Sequence, residues 1–331
     1  MPGTRADHAD LDVVAVGHAV VDVLAPSDEA ALDRLGLVKG TMALVDEARG
    51  EALYAAMGPA VEVSGGSAAN TAVGVARLGG SAAFVGKVRD DQLGTVFAHD
   101  IRAAGVAYAT PPATAGPATG RCLVLVTADA ERTMGTYLGA AAGLAPADID
   151  AALVARAAVT YLEGYMWDPP DGIAALQAAI AAARGAGRQV ALSLSDPFCV
   201  ARHRDEFLAL LEGEVDLLFA NEDEIVGLLG AGSFDAAVSA WKRRRPLAAL
   251  TRGAAGSVVV TGDDVVAVPA VPVDEVVDTT GAGDLYAAGF LYGHTRGLDP
   301  AGCAHLGARA AAEVIAHLGA RPRPRPQHRT A

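Results

Sequence analysis

Short, densely apolar blocks alternate along this chain with stretches whose apolar positions recur every three or four residues, and that rhythm predicts most of its elements. Residues 12 to 17 read as a buried first strand. Residues 82 to 88, 159 to 163, 190 to 194, 216 to 220 and 247 to 251 repeat its Val-, Leu- and Ala-rich character. Between them, residues 71 to 78, 91 to 104, 172 to 184 and 204 to 211 carry helical spacing, and a last Ala-rich helix is expected over 299 to 318. Gly79-Gly80 and Gly105 supply stop signals. Strands alternating with helices in this way predict a doubly wound, mostly parallel sheet covered on both faces, a three-layer α/β fold.

Residues 106 to 138 interrupt the rhythm. Two apolar runs, 121 to 127 and 132 to 137, flank the polar Asp129-Ala130-Glu131 turn and predict a hairpin. Residues 35 to 46 are too irregular for a long helix and read as another short strand. Together these segments, about 33 to 47 and 106 to 138, predict a small β sheet set apart as a lid. The rest of 12 to 320 forms one domain. The end of the chain, 321 to 331, begins Arg-Pro-Arg-Pro-Arg-Pro, cannot propagate a helix and is expected to be a flexible tail.

Composition narrows the function. The chain has 331 residues, 52% of them hydrophobic, enough for a sizeable core, and a net charge of −13. With no basic stripe to offset that acidity, a nucleic-acid surface is not expected and small-molecule chemistry fits better. Three scattered cysteines, Cys122, Cys199 and Cys303, read as buried thiols of a reducing compartment. Without an apolar leader or a run of about 18 apolar residues, the expectation is a soluble cytoplasmic protein with no membrane partner, monomer or homodimer.

Candidate chemistry centres on Asp278-Thr279-Thr280-Gly281-Ala282-Gly283-Asp284, which follows a Val-rich segment and opens a helical run, and so reads as strand, tight turn, helix. The amides of Gly281, Ala282 and Gly283 can converge at a helix start, which is an anion site. A carboxylate on the same turn would repel a resident phosphate, but it suits a phosphate in transit, with Asp284 taking a proton from a hydroxyl. A Gly-rich turn with an ordinary first-turn carboxylate fits the same residues. No Gly-x-x-x-x-Gly-Lys-Ser/Thr motif is present, so a Walker cradle is excluded.

Other polar groups fall at predicted strand ends, where α/β sheets bind ligands. His18 and Asp22 follow the first strand. Gly65-Gly66-Ser67 precedes a helix of small residues, and Asn70 lies one turn on. Gly164-Tyr165 and Ser195-Asp196-Pro197-Phe198 follow later strands, their aromatics suiting either a ligand rim or the core. Asn221 reads as a helix cap and Glu224, one turn in, as an ordinary dipole partner or as a carboxylate fixing waters on Mg²⁺. Thr251-Arg252-Gly253, ending its loop near Gly256, offers Arg252 to a phosphate chain, and Arg132 starts the second strand of the lid hairpin.

The run Gly65 to Asn70 with Gly79-Gly80, combined with Asp278 to Asp284, resembles the two signatures of the ribokinase-like (PfkB) carbohydrate and nucleoside kinases over roughly residues 12 to 320. That resemblance implies that Asp284 is the base, that Gly281 to Gly283 form the anion hole, and that Asp22, Gly66 and Asn70 hold sugar hydroxyls. Asn221 and Glu224 resemble the family's Mg²⁺-associated motif and Thr251 to Gly253 its nucleotide loop, implying ATP and Mg²⁺. Asp278 and the Thr280 carbonyl match two ligands of a monovalent cation, K⁺. Residues 39 to 44, with Met42 and Leu44, and the turn at Arg132 are most similar to the adenosine-kinase branch, although His18 stands where better-known members carry Asn. The resemblance therefore implies ATP-dependent phosphorylation of a ribonucleoside 5′-hydroxyl, adenosine first. A kinase of ribose or fructose and a non-catalytic nucleoside sensor are the alternatives.

Overall fold

Nine strands form the larger sheet of the computed structural model, which describes residues 9–129 and 131–322. In chain order they are β1 (Leu11–Val16), β5 (Ala82–Val85), β6 (Ala107–Tyr108), β9 (Ala157–Glu163), β10 (Gln189–Ser193), β11 (Leu217–Asn221), β12 (Leu247–Thr251), β13 (Ser257–Thr261) and β14 (Asp264–Val268). Their spatial order is β14-β13-β12-β11-β10-β9-β1-β5-β6. Every pairing from β6 to β12 is parallel, and β13 and β14 close that edge as an antiparallel hairpin.

Side chains alternate across this sheet, and the two faces build two cores. Val13, Ala15, Tyr161 and Phe219 pack against α3 (Ser67–Arg77), α4 (Gln92–Ala103), α10 (Ala282–His294) and α11 (Pro300–Ile315). Val14, Val16, Leu162 and Leu192 face α5 (Ala151–Arg156), α6 (Pro170–Gly185), α7 (Pro197–Gly213), α8 (Glu222–Leu229) and α9 (Phe234–Trp241). This is the expected three-layer arrangement, because strands buried on both faces need the near-continuous apolar runs the sequence supplies.

A second sheet of five strands lies apart: β2 (Val20–Pro26), β3 (Met42–Leu44), β4 (Val61–Gly65), β7 (Thr119–Val126) and β8 (Arg132–Gly139), ordered β3-β8-β7-β2-β4. The expected hairpin is present as β7 and β8, with β3 beside it. It also recruits β2 and β4, and β6, within the segment read as lid, pairs with β5 in the main sheet. One face of the small sheet is covered by α1 (Glu29–Arg34) and α2 (Glu47–Ala56), whose Leu32 and Leu53 meet Val23, Leu123 and Leu125. The other face presents Val20, Cys122, Val124 and Met134.

Three expectations need correction. Asp22 lies on β2 of the small sheet, paired to Val63, and not in a loop beyond β1. Residues 269 to 279 have no regular structure, so no strand runs directly into the Gly281 turn; main-chain bonds from Val277 and Asp278 to Ile315 support it instead. Arg321 is half-buried and bonded to Asn70 and Ser64, and so is not part of a tail; residues 323 to 331 lie outside the described residues. No helix among the described residues is long and apolar enough to cross a membrane.

Candidate active site

Gly281 is the cap of α10 with a left-handed backbone (φ 78°), and a methyl group there would sit 2.6 Å from the Ala320 carbonyl oxygen. Glycine is therefore required twice over, by conformation and by contact. Asp278 braces the turn: one carboxylate oxygen accepts from the amide and hydroxyl of Thr280, the other from the Gly319 amide at 2.8 Å. The Ala282 amide donates back to Thr279 O at 3.2 Å. No backbone acceptor takes the Gly281 or Gly283 amide among the described residues, so these two remain open to an anion.

Asp284 stands on the first turn of α10, at the floor of a cavity of about 530 Å³ between the two sheets. Ser67 Oγ donates to one of its oxygens at 2.7 Å and Asn70 Nδ2 to the other at 3.0 Å. Gly66 stands at the cap of α3, and the hydroxyl of Ser67, its first residue, is spent on the facing helix. The two helices come this close because Gly74 leaves room: a Cβ there would lie 2.5 Å from Ala288 Cβ. Burial raises the Asp284 carboxyl to about 6, against the lowering by Ser67 and Asn70. At neutral pH it is mostly ionised and basic enough to accept a proton.

Across the cavity, Asp22 projects from β2, with Gly65 over it so tightly that a Cβ would lie 2.1 Å from the carboxylate carbon. Burial raises Asp22 to about 7, and the Arg321 guanidinium opposes that rise. Glu163, at the end of β9, accepts from the Ala68 amide at 2.9 Å and contacts His18 Nδ1 at 3.2 Å. Nδ1 is therefore the ring nitrogen that faces the carboxylate, and Nε2 points away from it. Nε2 is buried in the cavity wall without a hydrogen-bond partner among the described residues.

The lid side of the cavity is mostly apolar: Val20, Met42, Leu44, Val124, Met134 and Leu138, with Arg132 and Thr136 among them. Leu44 and Phe198 are 48% and 57% exposed, large apolar groups left uncovered at the mouth. Tyr165 lines the opposite wall and its amide donates to Ser195 Oγ at 3.3 Å; Ser195 itself has a left-handed φ of 74°, strain of the kind that gathers at binding sites.

At the far end, Asn221 and Glu224 form a reciprocal capping box on α8: the Asn221 side chain caps the Glu224 amide at 2.8 Å, and the Glu224 carboxylate accepts from the Asn221 amide and Nδ2. Glu224 is raised to about 7 by burial, against the Asn221 backbone bond. Each of its oxygens accepts one hydrogen bond and keeps one lone pair, and the residue lines the cavity, which fits a carboxylate that orients water on a metal. Among the described residues no group of three His, Cys, Asp or Glu is placed to hold a metal ion.

Thr251 and Thr280 line the cavity, whereas Gly65, Arg252, Gly253, Gly256 and Asp278 do not. Arg252 is committed elsewhere, bonded to Glu222 at 2.9 Å and stacked 4.3 Å over the Phe234 ring. Gly256 serves its own turn, where a Cβ would lie 2.2 Å from Val268 O. Sequence reading missed Glu163 and Arg321. A lone Glu ending an apolar strand was a usable signal for the first; nothing local distinguished Arg321 from the arginines after it.

A family model described as pfkB family carbohydrate kinase matches residues 11–327. The structure superposes on that of an adenosine kinase from Sinorhizobium meliloti with a TM-score of 0.92 at 51% identity, covering 95% of this chain and 96% of that one. A probable sugar kinase from Rhizobium etli gives 0.93 at 47% identity, with 96% of each chain covered. Among curated proteins, Fructokinase-1 of Oryza sativa subsp. japonica is 33% identical over 70% of this chain and 73% of its own length.

Proposed function

The chain belongs to the pfkB family of carbohydrate kinases, phosphotransferases with an alcohol acceptor, and from that premise we propose that its acceptor is the 5′-hydroxyl of a ribonucleoside, adenosine first. The observation that carries the chemistry is Asp284, held between Ser67 and Asn70 at the start of α10 beside two unengaged amides. Asp22 and Asn70 hold the ribose hydroxyls, and the apolar side of the lid, with Met42, Leu44 and Met134, covers the base. A hydroxyl-rich monosaccharide would leave those groups uncovered or unmatched. The Sinorhizobium and Rhizobium structures match 95% and 96% of this chain, and the first is an adenosine kinase.

In the proposed reaction Asp284 takes the hydroxyl proton as the acceptor oxygen bonds to the γ-phosphorus of ATP. The bond from that phosphorus to the β–γ bridging oxygen breaks, and ADP leaves. The Gly281 and Gly283 amides stabilise the charge carried by the transferred group. Glu224 and Asn221 would hold the water shell of Mg²⁺, which, when bound with the nucleotide, would supply neutralisation of phosphate charge. Arg132, on the lid, meets the phosphates on closure, which excludes water and so suppresses hydrolysis of ATP. K⁺ is proposed at Asp278 and Thr280, but Asp278 already accepts three hydrogen bonds, leaving one lone pair, so backbone carbonyls would supply most of such a site.

A fructokinase-like reading draws on the Oryza relative and on the polar cluster of Asp22, Glu163 and Asn70. The deciding experiment is product formation from ATP with Mg²⁺ across adenosine, guanosine, cytidine, ribose and fructose, read as kcat/KM. Adenosine leading is the expected outcome; turnover of free sugars alone overturns the nucleoside reading. Asp284→Asn is expected to lower kcat about 100- to 10,000-fold with acceptor affinity retained. Unchanged turnover in that variant removes the general-base assignment, and a wild type that binds nucleoside without turnover leaves only a sensor.

A further inference from the structure

Beyond α11 the chain turns back under the Gly281 turn: the Gly319 amide bonds Asp278, and Ala320, 2% exposed, packs beneath Gly281. Arg321 is thereby aimed into the space between α3 and the small sheet. Its Nε donates to Asn70 Oδ1 at 3.1 Å and its Nη1 to Ser64 Oγ on β4. Nη2 is buried without a hydrogen-bond partner among the described residues. Of the carboxylates that act on this guanidinium, Asp22 is foremost, with Asp100 and Asp284 following.

The Asn70 amide is the joint in this arrangement. It has one accepting oxygen and one donating nitrogen, and the two are interchanged by a half-turn about the last side-chain bond. A guanidinium offers only donors, so it forces the oxygen to face Arg321. The nitrogen must then face Asp284, where it donates at 3.0 Å. An amide turned the other way would set its oxygen against the Asp284 carboxylate and its NH₂ against a cation, two repulsions at once.

We infer that Arg321 is a positioning residue for the phosphoryl-acceptor site, locking the Asn70 amide toward Asp284, so that the end of the chain completes the site. This rests on the acceptor-site reading above, in which Asp22 and Asn70 hold the acceptor and Asp284 deprotonates it. Lysine cannot replace the fork, because its point charge does not hold Asn70 and Ser64 together in one plane.

The test uses the full chain with Arg321→Met, Arg321→Ala, Arg321→Lys and Asp284→Asn beside the wild type. The acceptor is adenosine, or fructose should the wild type turn that over faster. Arg321→Met is expected to raise KM for the acceptor about 10- to 100-fold while KM for ATP stays within about twofold. Arg321→Lys should recover only part of that loss, and added guanidinium chloride at millimolar concentration should restore acceptor KM in Arg321→Ala but not in Arg321→Met, whose side chain fills the space. Acceptor KM within about twofold of wild type in all three Arg321 variants, with Asp284→Asn inactive, overturns this inference and leaves the base assignment standing. A parallel rise of both KM values assigns Arg321 a merely structural role and overturns it equally. Turnover at the wild-type rate in Asp284→Asn removes the acceptor-site reading itself. Should Met and Ala at 321 prevent folding, Arg321→Lys carries the same comparison of the two KM values.

Discussion

Three carboxylates in one cavity sit above their ordinary range: Asp284 at about 6, Asp22 and Glu224 at about 7, each raised first by burial. Such clustering is a mark of a working site, since a charge placed for function is kept where water no longer solvates it. Under the proposed mechanism, Asp284 and Asp22 must both be ionised. The acid limb of kcat/KM for the acceptor, measured at saturating ATP and Mg²⁺, is therefore expected between about pH 6 and pH 7, two to three units above a free carboxylate. A limb near pH 4 would show that neither group titrates as a buried one.

Stability should show the same groups from the other side. Asp22 binds its proton more tightly folded than unfolded, so its contribution favours the native state at low pH and is lost as pH rises from about 4 through about 7. Asp22→Asn removes that loss. The variant is expected to gain on the wild type by up to about 4 kcal/mol near pH 8 and by less near pH 5, in urea titrations without ligand, while acceptor turnover collapses. An equal difference at both pH values would mean that Asp22 is not the titrating group.

Among elements, the pair α3 and α10 matters most, because each brings one half of the Asp284 environment: Ser67 and Asn70 from the first, Asp284 from the second. The stripe Ala68, Ala72 and Gly74 reads in sequence as a helix built for close approach, and Gly74 meets Ala288 and Leu285 of α10 with no room for a methyl. Gly74→Ala is expected to cost about 1–3 kcal/mol in urea unfolding by overpacking, despite alanine's better helix propensity. A gain in stability would show that the helices can separate freely. The small sheet was legible only in part. Its hairpin carried a turn signal between two apolar runs, but β2 and β4 lie beside local patterns that suit loops equally well, and their pairing is with each other across some forty residues.

At the scale of the molecule, the cavity belongs to neither sheet alone. Its floor is the end of the large sheet with α3 and α10, and its roof is the apolar face of the small sheet. A ligand that fills it bridges the two and should stabilise them together. Adenosine at about 100 times its dissociation constant is expected to add about 2.7 kcal/mol, read as a rise in Tm of several degrees. A rise with fructose and none with adenosine would favour the sugar-kinase reading.

What the amino-acid sequence determined by itself is whatever depends on neighbours along the chain: the alternation of buried strands and helices, the Gly281 turn with its Asp284, the Gly-Gly start of α3, the capping pair Asn221 and Glu224, and the acidic balance. These rest on backbone conformation, side-chain period and cap chemistry, all local. Only the tertiary structure decided that Ser67 bonds Asp284, that Arg252 turns to Glu222, that Asp22 hangs from the small sheet, and that Arg321 reaches Asn70. Each of these joins residues far apart in the chain, and the partner of a hydroxyl, carboxylate or guanidinium is set by which elements pack together, a choice no local pattern encodes.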